Sequence, residues 1–203
     1  MSPKVSAEYK ERKRQEILHS AMEVFQRKGF EPTTMKDIKE EAGISFGALY
    51  SYFSSTEEMF IELLQKSSQL DTLTQHDSAT TSSWKRLEDY LLVQDEMLKT
   101  IKSSLIPAAY EFFMTSWRET GRLSILKDRY KEAGDQIKAM LADGIKNGEF
   151  QPTVPLDSLA KLIVSTLEGL NVSVLFIGYT ESGAKEQLVT LIKMLKQLLH
   201  VKE

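Results

Sequence analysis

The stretch from Ala42 to Phe53, AGISFGALYSYF, holds the residues whose types and spacing suggest a chemistry, and that chemistry is contact with a polyanion. Tyr50 and Tyr52 each carry a phenolic hydroxyl able to donate a hydrogen bond to a phosphate oxygen, which positions a protein without reading sequence. Gly47 and Ala48 are small enough to let a backbone approach base edges, and the Ala48 methyl suits a thymine methyl. Arg, Asn and Gln, the bidentate readers of guanine and adenine, are missing here, so readout would rest on methyl contacts, few hydrogen bonds and DNA shape. The rest of the chain offers no competing chemistry. It has no cysteine, and His19, His76 and His200 fit no zinc spacing. No nucleophile motif, metal box or phosphate-cradling glycine loop is present, so we expect no metal, no cofactor and no enzyme.

The elements that must hold this stretch read as helices throughout. Ile17, Leu18, Ala21, Met22, Val24 and Phe25 form one apolar stripe within a first helix over 10–28, which Gly29 ends. Thr34, three residues before Asp37, resembles a capping box opening a second helix through Ala42, and Gly43 stops it. A third helix is expected over 46–53, with Leu49 and Phe53 turned inward against Ile38, Ala42 and the first helix. Two such helices around a tight turn make a helix-turn-helix, whose second helix can enter a DNA major groove. Ser55 and Glu58 cap a fourth helix running toward Leu70.

A polar stretch over 72–83 reads as a loop, so a boundary near residue 70 divides a helix-turn-helix domain, 1–70, from a second helical domain, 71–203. Further helices are expected over 84–102, 105–120, 123–147, 156–177 and 182–200, broken near Pro107, Gly121, Gly148, Pro152, Pro155 and Gly178. The fold class is therefore all-α.

With 203 residues, 41% of them hydrophobic and 27% charged, the chain can bury a proper core. The net charge is −3, yet Lys4, Lys10, Arg12, Lys13 and Arg14 face only Glu8 and Glu11 near the amino end. An acidic body with a basic edge keeps most of a molecule off a polyanion while letting one end approach, although such a run is also what a solvated face looks like. The apolar run from Leu159 to Tyr179 contains Lys161 and Glu168, both costly in mid-bilayer, so it reads as a buried helix and not as a membrane span. The amino-terminal segment has no apolar core of a secretory signal, and a cytoplasmic protein is expected.

From Thr33 to Phe60, TTMKDIKEEAGISFGALYSYFSSTEEMF resembles the DNA-binding signature of the TetR family of bacterial transcriptional repressors. The match covers about the first 65 residues and includes the Thr pair, Asp37-Ile38, Ala42 to Ser45, Gly47 to Tyr50, Phe53 and Glu57-Glu58. The resemblance implies an all-helical homodimer whose DNA-binding domain, 1–70, binds a palindromic double-stranded operator and leaves it when a small molecule enters an effector-binding and dimerisation domain, 71–203. It adds Thr33, Thr34, Lys36, Ser45 and Phe46 to Gly47, Ala48, Tyr50 and Tyr52 as candidate DNA contacts; Phe46 is left open between base contact and core. Two departures stand out. Lys39 replaces a usually small residue of the second helix, and Thr56 replaces a lysine that contacts phosphate, leaving a hydroxyl that bonds a phosphate without releasing a counterion.

In the C-terminal part, Met97, Tyr110, Phe113, Met114, Trp117 and Phe176 form either plain core or, with Glu168 and Asn171, the lining of a cavity for a largely apolar effector. A carboxylate on an apolar helix such as Glu168 wants a partner or a cationic ligand. The last two helices are too apolar to be solvated all round, so Leu188, Leu191, Ile192 and Leu195 are expected at a homodimer interface. The function expected is a ligand-responsive DNA-binding repressor; the alternative is a helical protein-interaction module with a degenerate helix-turn-helix.

Overall fold

The computed structural model describes residues 6–67, 82–115, 117, 118 and 120–201. Every regular element among them is helical. Leu70, His76, Lys4 and most of the loop expected over 72–83 lie outside the described residues, while Ser82 and Ser83 instead begin a helix.

Two compact units share the chain. The first contains α1 (Ala7–Lys28), α2 (Met35–Glu41), α3 (Phe46–Tyr50) and α4 (Thr56–Ser67), together with α6 (Ile106–Thr115). A single cut at residue 70 would have left α6 with the C-terminal part. Its place is explained by rings: Phe112 lies 4.8 Å from Phe30 and 5.2 Å from Phe60, and Phe60 lies 4.8 Å from Phe25 and 4.9 Å from Phe30. All four are buried. Aromatic pairs at such distances add about 0.5–1.5 kcal/mol each beyond the area they bury. Pro107 sits in the first turn of α6, as expected, where its missing N–H is harmless.

The ends of these helices follow from local chemistry. Ser6 caps α1 by accepting from the Tyr9 N–H at 3.1 Å. Ser55 accepts from the Glu58 N–H at 3.1 Å and opens α4, as its spacing indicates. The buried face of α1 is Ile17, Leu18, Ala21, Val24 and Phe25, the stripe visible in the sequence.

The second unit contains α5 (Ser83–Lys99), α7 (Thr120–Lys146), α8 (Leu156–Ile177) and α9 (Ala184–Leu198). α8 lies along α7, and α5 packs against α7, α8 and α9. Ser82 caps α5, and the Glu149 carboxylate accepts from the Ser83 and Trp84 N–H groups at 2.9 and 3.2 Å, satisfying donors that every helix start leaves orphaned. α8 has the length and composition of a membrane span, but Leu159, Ile163, Leu167, Leu170 and Val174 form a buried stripe, which accounts for its apolar character. Gly121 falls inside the first turn of α7 and not in a break before it, and a short 3-10 turn at Ile101–Ser103 replaces the expected end of α5.

Truncation of Phe60 tests the ring cluster. Phe60→Ala should destabilise the first unit by about 3–5 kcal/mol, read from urea unfolding with helicity at 222 nm; a loss below about 1 kcal/mol would show that the rings are not its structural centre.

Candidate nucleic-acid interface

α2 starts on a complete capping box. The Thr34 hydroxyl accepts from the Asp37 N–H, and the Asp37 carboxylate accepts from the Thr34 N–H at 2.9 Å. Asp37 is also held by Lys28 at 2.7 Å, and hydrogen bonding to Lys28 first, then to Thr34, keeps its carboxyl well below the ordinary range. Gly43 carries φ +62, a left-handed conformation that L side chains resist, and so makes the turn. Ser45 caps α3 by accepting from the Ala48 N–H at 3.2 Å. α3 itself is one turn long and ends at Tyr50, three residues earlier than the sequence pattern suggests. Its line continues as a looser turn in which Ser51 and Phe53 donate to Gly47 and Leu49.

The inner face of this unit is as expected: Ile38, Leu49 and Phe53 are buried. Phe53 is covered by the Arg14 guanidinium, 4.0 Å from its ring centre, and Arg14 also donates to the Tyr52 carbonyl at 2.6 Å and pairs with Glu62. Arg14 therefore serves the fold, and Lys13 is paired with Glu16 at 2.8 Å. The basic run near the amino end is thus partly internal bracing and not all free charge.

The outer face is aromatic and cationic. Phe46 is 44% and Tyr50 55% exposed, which settles Phe46 as a surface residue. Their rings stack with centres 6.2 Å apart, and the Lys39 ammonium lies 5.2 Å from the Phe46 ring centre. Lys39 was legible only as a departure from the family pattern; its neighbour across the turn could not be read from spacing. Gly47 is exposed and a Cβ there would meet nothing within 4 Å, so open space lies beyond it. Lys36 and Ser45 are exposed, with Lys36 at 4.0 Å from Glu40, while Ala48, Tyr52 and Thr56 are half-buried. Thr34 is exposed, though its hydroxyl serves the cap. Thr33 is a correction. It is only 6% exposed and donates its hydroxyl to the Gly29 carbonyl at 2.6 Å, so it stabilises the turn and does not face a phosphate.

The candidate effector residues are divided between the units. Tyr110, Phe113, Met114 and Trp117 belong to the first, where Phe113 is buried and Met114 and Trp117 are exposed. Met97, Glu168, Asn171 and Phe176 belong to the second, where Met97 and Phe176 are exposed and Glu168 and Asn171 half-buried. Glu168 has company: burial raises the Tyr90 phenol to about 12 with the Glu168 charge adding to it, and the same carboxylate opposes the lowering that burial imposes on Arg129. A cleft of about 290 Å³ between α7 and α8 is lined by Tyr130, Gly134, Ala160, Val164 and Ser165 and by the charged Lys131, Asp135, Asp157 and Lys161, none of them among the eight.

Of the expected dimer residues, Leu188, Leu191 and Leu195 are buried within the protomer, because this face of α9 packs on α5, and Ile192 is half-buried. The apolar side chains that α8 and α9 leave exposed are instead Leu162, Val172, Phe176, Ile177, Val189 and Met194.

A short helix displayed on a capped two-helix turn defines a helix-turn-helix DNA-binding protein. Comparison with known proteins places it further. Residues 17–63 match the model of bacterial regulatory proteins of the tetR family, and residues 86–185 match the tetracyclin repressor-like C-terminal domain. The uncharacterized HTH-type transcriptional regulator YfiR of Bacillus subtilis (strain 168) is 40% identical over 175 residues, covering 84% of this chain and 83% of that protein. The HTH-type transcriptional repressor KstR2 of Mycobacterium tuberculosis is 28% identical over 156 residues, covering 76% and 77%. The solved structure of Salmonella enterica GusR superimposes with a TM-score of 0.74 over 97% of this chain and 98% of that one, at 22% identity. The chain belongs to the TetR family and is a DNA-binding transcription regulator.

Because the Asp37 pKa is depressed in the folded protein, its contribution to stability is present above the unfolded value of about 4 and is lost as pH falls below it. Asp37→Asn should therefore narrow the stability difference between pH 7 and pH 3, measured by urea unfolding at each pH; an unchanged difference would show that the capping carboxylate is not a source of acid sensitivity.

Proposed function

We propose that this regulator is a repressor that binds a pseudo-palindromic operator as a homodimer and leaves it when a small, largely apolar molecule binds. The observation that carries the reading is the outward surface of α3, where Phe46, Gly47 and Tyr50 face solvent while Leu49 anchors the opposite face. Two such helices about 34–36 Å apart in a dimer would enter successive major-groove turns. Phe46, Gly47 and Ala48 are assigned to base edges and thymine methyls, and Tyr50, Tyr52, Lys36, Thr34, Ser45 and Thr56 to phosphates. An exposed Phe stacked on an exposed Tyr is unusual for a surface with no partner, and this supports the assignment.

The dimer face is assigned to the exposed apolar residues of α8 and α9, with Phe176, 78% exposed, as its most prominent member. The effector is assigned to the second unit, where Tyr90, Tyr130 and Glu168 share one electrostatic neighbourhood with Arg129. It releases DNA by binding more tightly to the conformation that does not fit the operator. The site of action is the cytoplasm, with no membrane association and no catalysis.

Gel shifts with the DNA upstream of the protein's own coding region test the reading. Tyr50→Phe and Tyr52→Phe should each weaken binding about threefold to tenfold, the worth of one hydrogen bond, and leave dimerisation intact; variants that shift DNA like wild type would refute the hydroxyl assignment. Lys36→Ala should lower the slope of log affinity against log salt by about one. Absence of any shift at low salt would favour the interaction module, and turnover of a small molecule would favour an enzyme. Phe176→Glu should convert the dimer to a monomer in light scattering; a persistent dimer would move the interface elsewhere.

A further inference from the structure

The turn that leads into α2 is held by a residue some eighty positions away. Glu111 of α6 directs its carboxylate at this turn, and Oε2 accepts from the Phe30 N–H at 2.7 Å and from the Glu31 N–H at 3.3 Å. Gly29 makes room for it: the residue has φ +86, and a Cβ there would collide with both Glu111 carboxylate oxygens. Residues 29–31 therefore form a backbone seat for an anion, and the anion that fills it is supplied by the chain itself. The contact extends along α6. Phe112 packs its ring against Phe30, and Thr115 donates to the Glu31 carboxylate at 2.8 Å.

The position of this seat matters for DNA. Thr33 closes the same turn, its N–H donating to the Phe30 carbonyl at 3.2 Å and its hydroxyl to the Gly29 carbonyl, and the next residue, Thr34, caps α2. The seat thus fixes where α2 begins, and α2 carries α3 through a turn of four residues, 42–45.

We propose that Glu111 is a positioning residue for DNA binding: seated on the Phe30 and Glu31 amides, it aligns α2 and α3 for the operator. This rests on the operator reading above and names a residue that prepares that site. Charge-assisted hydrogen bonds to backbone N–H groups are short and directional, which suits a contact that fixes the turn ahead of α2.

The experiment uses the full-length protein as wild type, Glu111→Gln, Glu111→Ala, Gly29→Ala and the double variant, with the upstream DNA fragment as probe. Glu111→Ala should speed amide hydrogen exchange about tenfold or more over residues 30–53 and leave α1 and the second unit unchanged. Its affinity should fall about tenfold with the salt slope unaltered, since no phosphate contact is removed. Glu111→Gln, which keeps a carbonyl acceptor without the charge, should fall between. Gly29→Ala should block the seat, so the double variant should bind no more weakly than Gly29→Ala alone. The proposal is overturned by wild-type affinity in Glu111→Ala, by faster exchange spread evenly over the chain, or by additive losses in the double variant. Should wild type fail to bind the fragment, the operator reading fails, and the exchange pattern over 30–53 still decides whether Glu111 positions α2 and α3.

Discussion

The contact among Phe25, Phe30, Phe60 and Phe112 sets the arrangement of the first unit, because these four rings come from α1, the turn after it, α4 and α6. Each of those segments is amphipathic or short and none would hold its place by propensity alone. Burying the rings together fixes the carboxyl-terminal end of α1 and the start of α4, the two supports between which α2 and α3 are suspended. The polar contacts of the turn then become possible. A carboxylate held a few ångströms from two backbone N–H groups is useful only if α6 is already docked, and Phe112, next to Glu111 in sequence, docks it.

α3 shows how little local structure a displayed surface needs. Five helical residues are too few to be stable in water, so its shape is imposed by Ser45 at one end, Leu49 in the core and the Arg14 bond to the Tyr52 carbonyl at the other. Arg14 does this from α1 by laying its guanidinium on Phe53 and ending on Glu62, a planar group satisfying an aromatic face, a carbonyl and a carboxylate at once. With the inner face so constrained, the outer residues are free to be chosen for what they meet outside the protein. Gly47, Phe46 and Tyr50 make sense there, whereas none of them contributes to the packing.

Much of this was legible in the sequence because it is local. The Thr34 and Asp37 pair, Gly43, Ser55 with Glu58, and the stripe on α1 each depend on residues within four or seven positions, where helix geometry dictates the outcome. What was not legible is long-range. The sequence places Leu188, Leu191 and Leu195 on one apolar stripe but does not say whether that stripe meets a partner or the protomer's own α5, and it meets α5. Thr33 looks equivalent to Thr34, yet the turn buries one hydroxyl against Gly29 and leaves its neighbour at the surface. The packing of α6 with the amino-terminal helices likewise depends on which rings meet, not on any break in composition.

The two departures from the family pattern now bear on each other. A threonine at position 56 removes a cation from the start of α4, and a lysine at position 39 adds one to α2, with its ammonium over the Phe46 ring. A cation on an exposed ring gains about 0.5–1 kcal/mol and is held in a preferred direction, so under the proposed operator reading Lys39 would lose less freedom on meeting a phosphate than an unrestrained lysine. Relative to the family pattern, positive charge is therefore moved from the start of α4 to α2, beside the Phe46 ring of α3. In the proposed operator complex, where α3 offers no bidentate reader, that placement would favour recognition of groove shape and methyl groups, with electrostatic attraction concentrated beside α3.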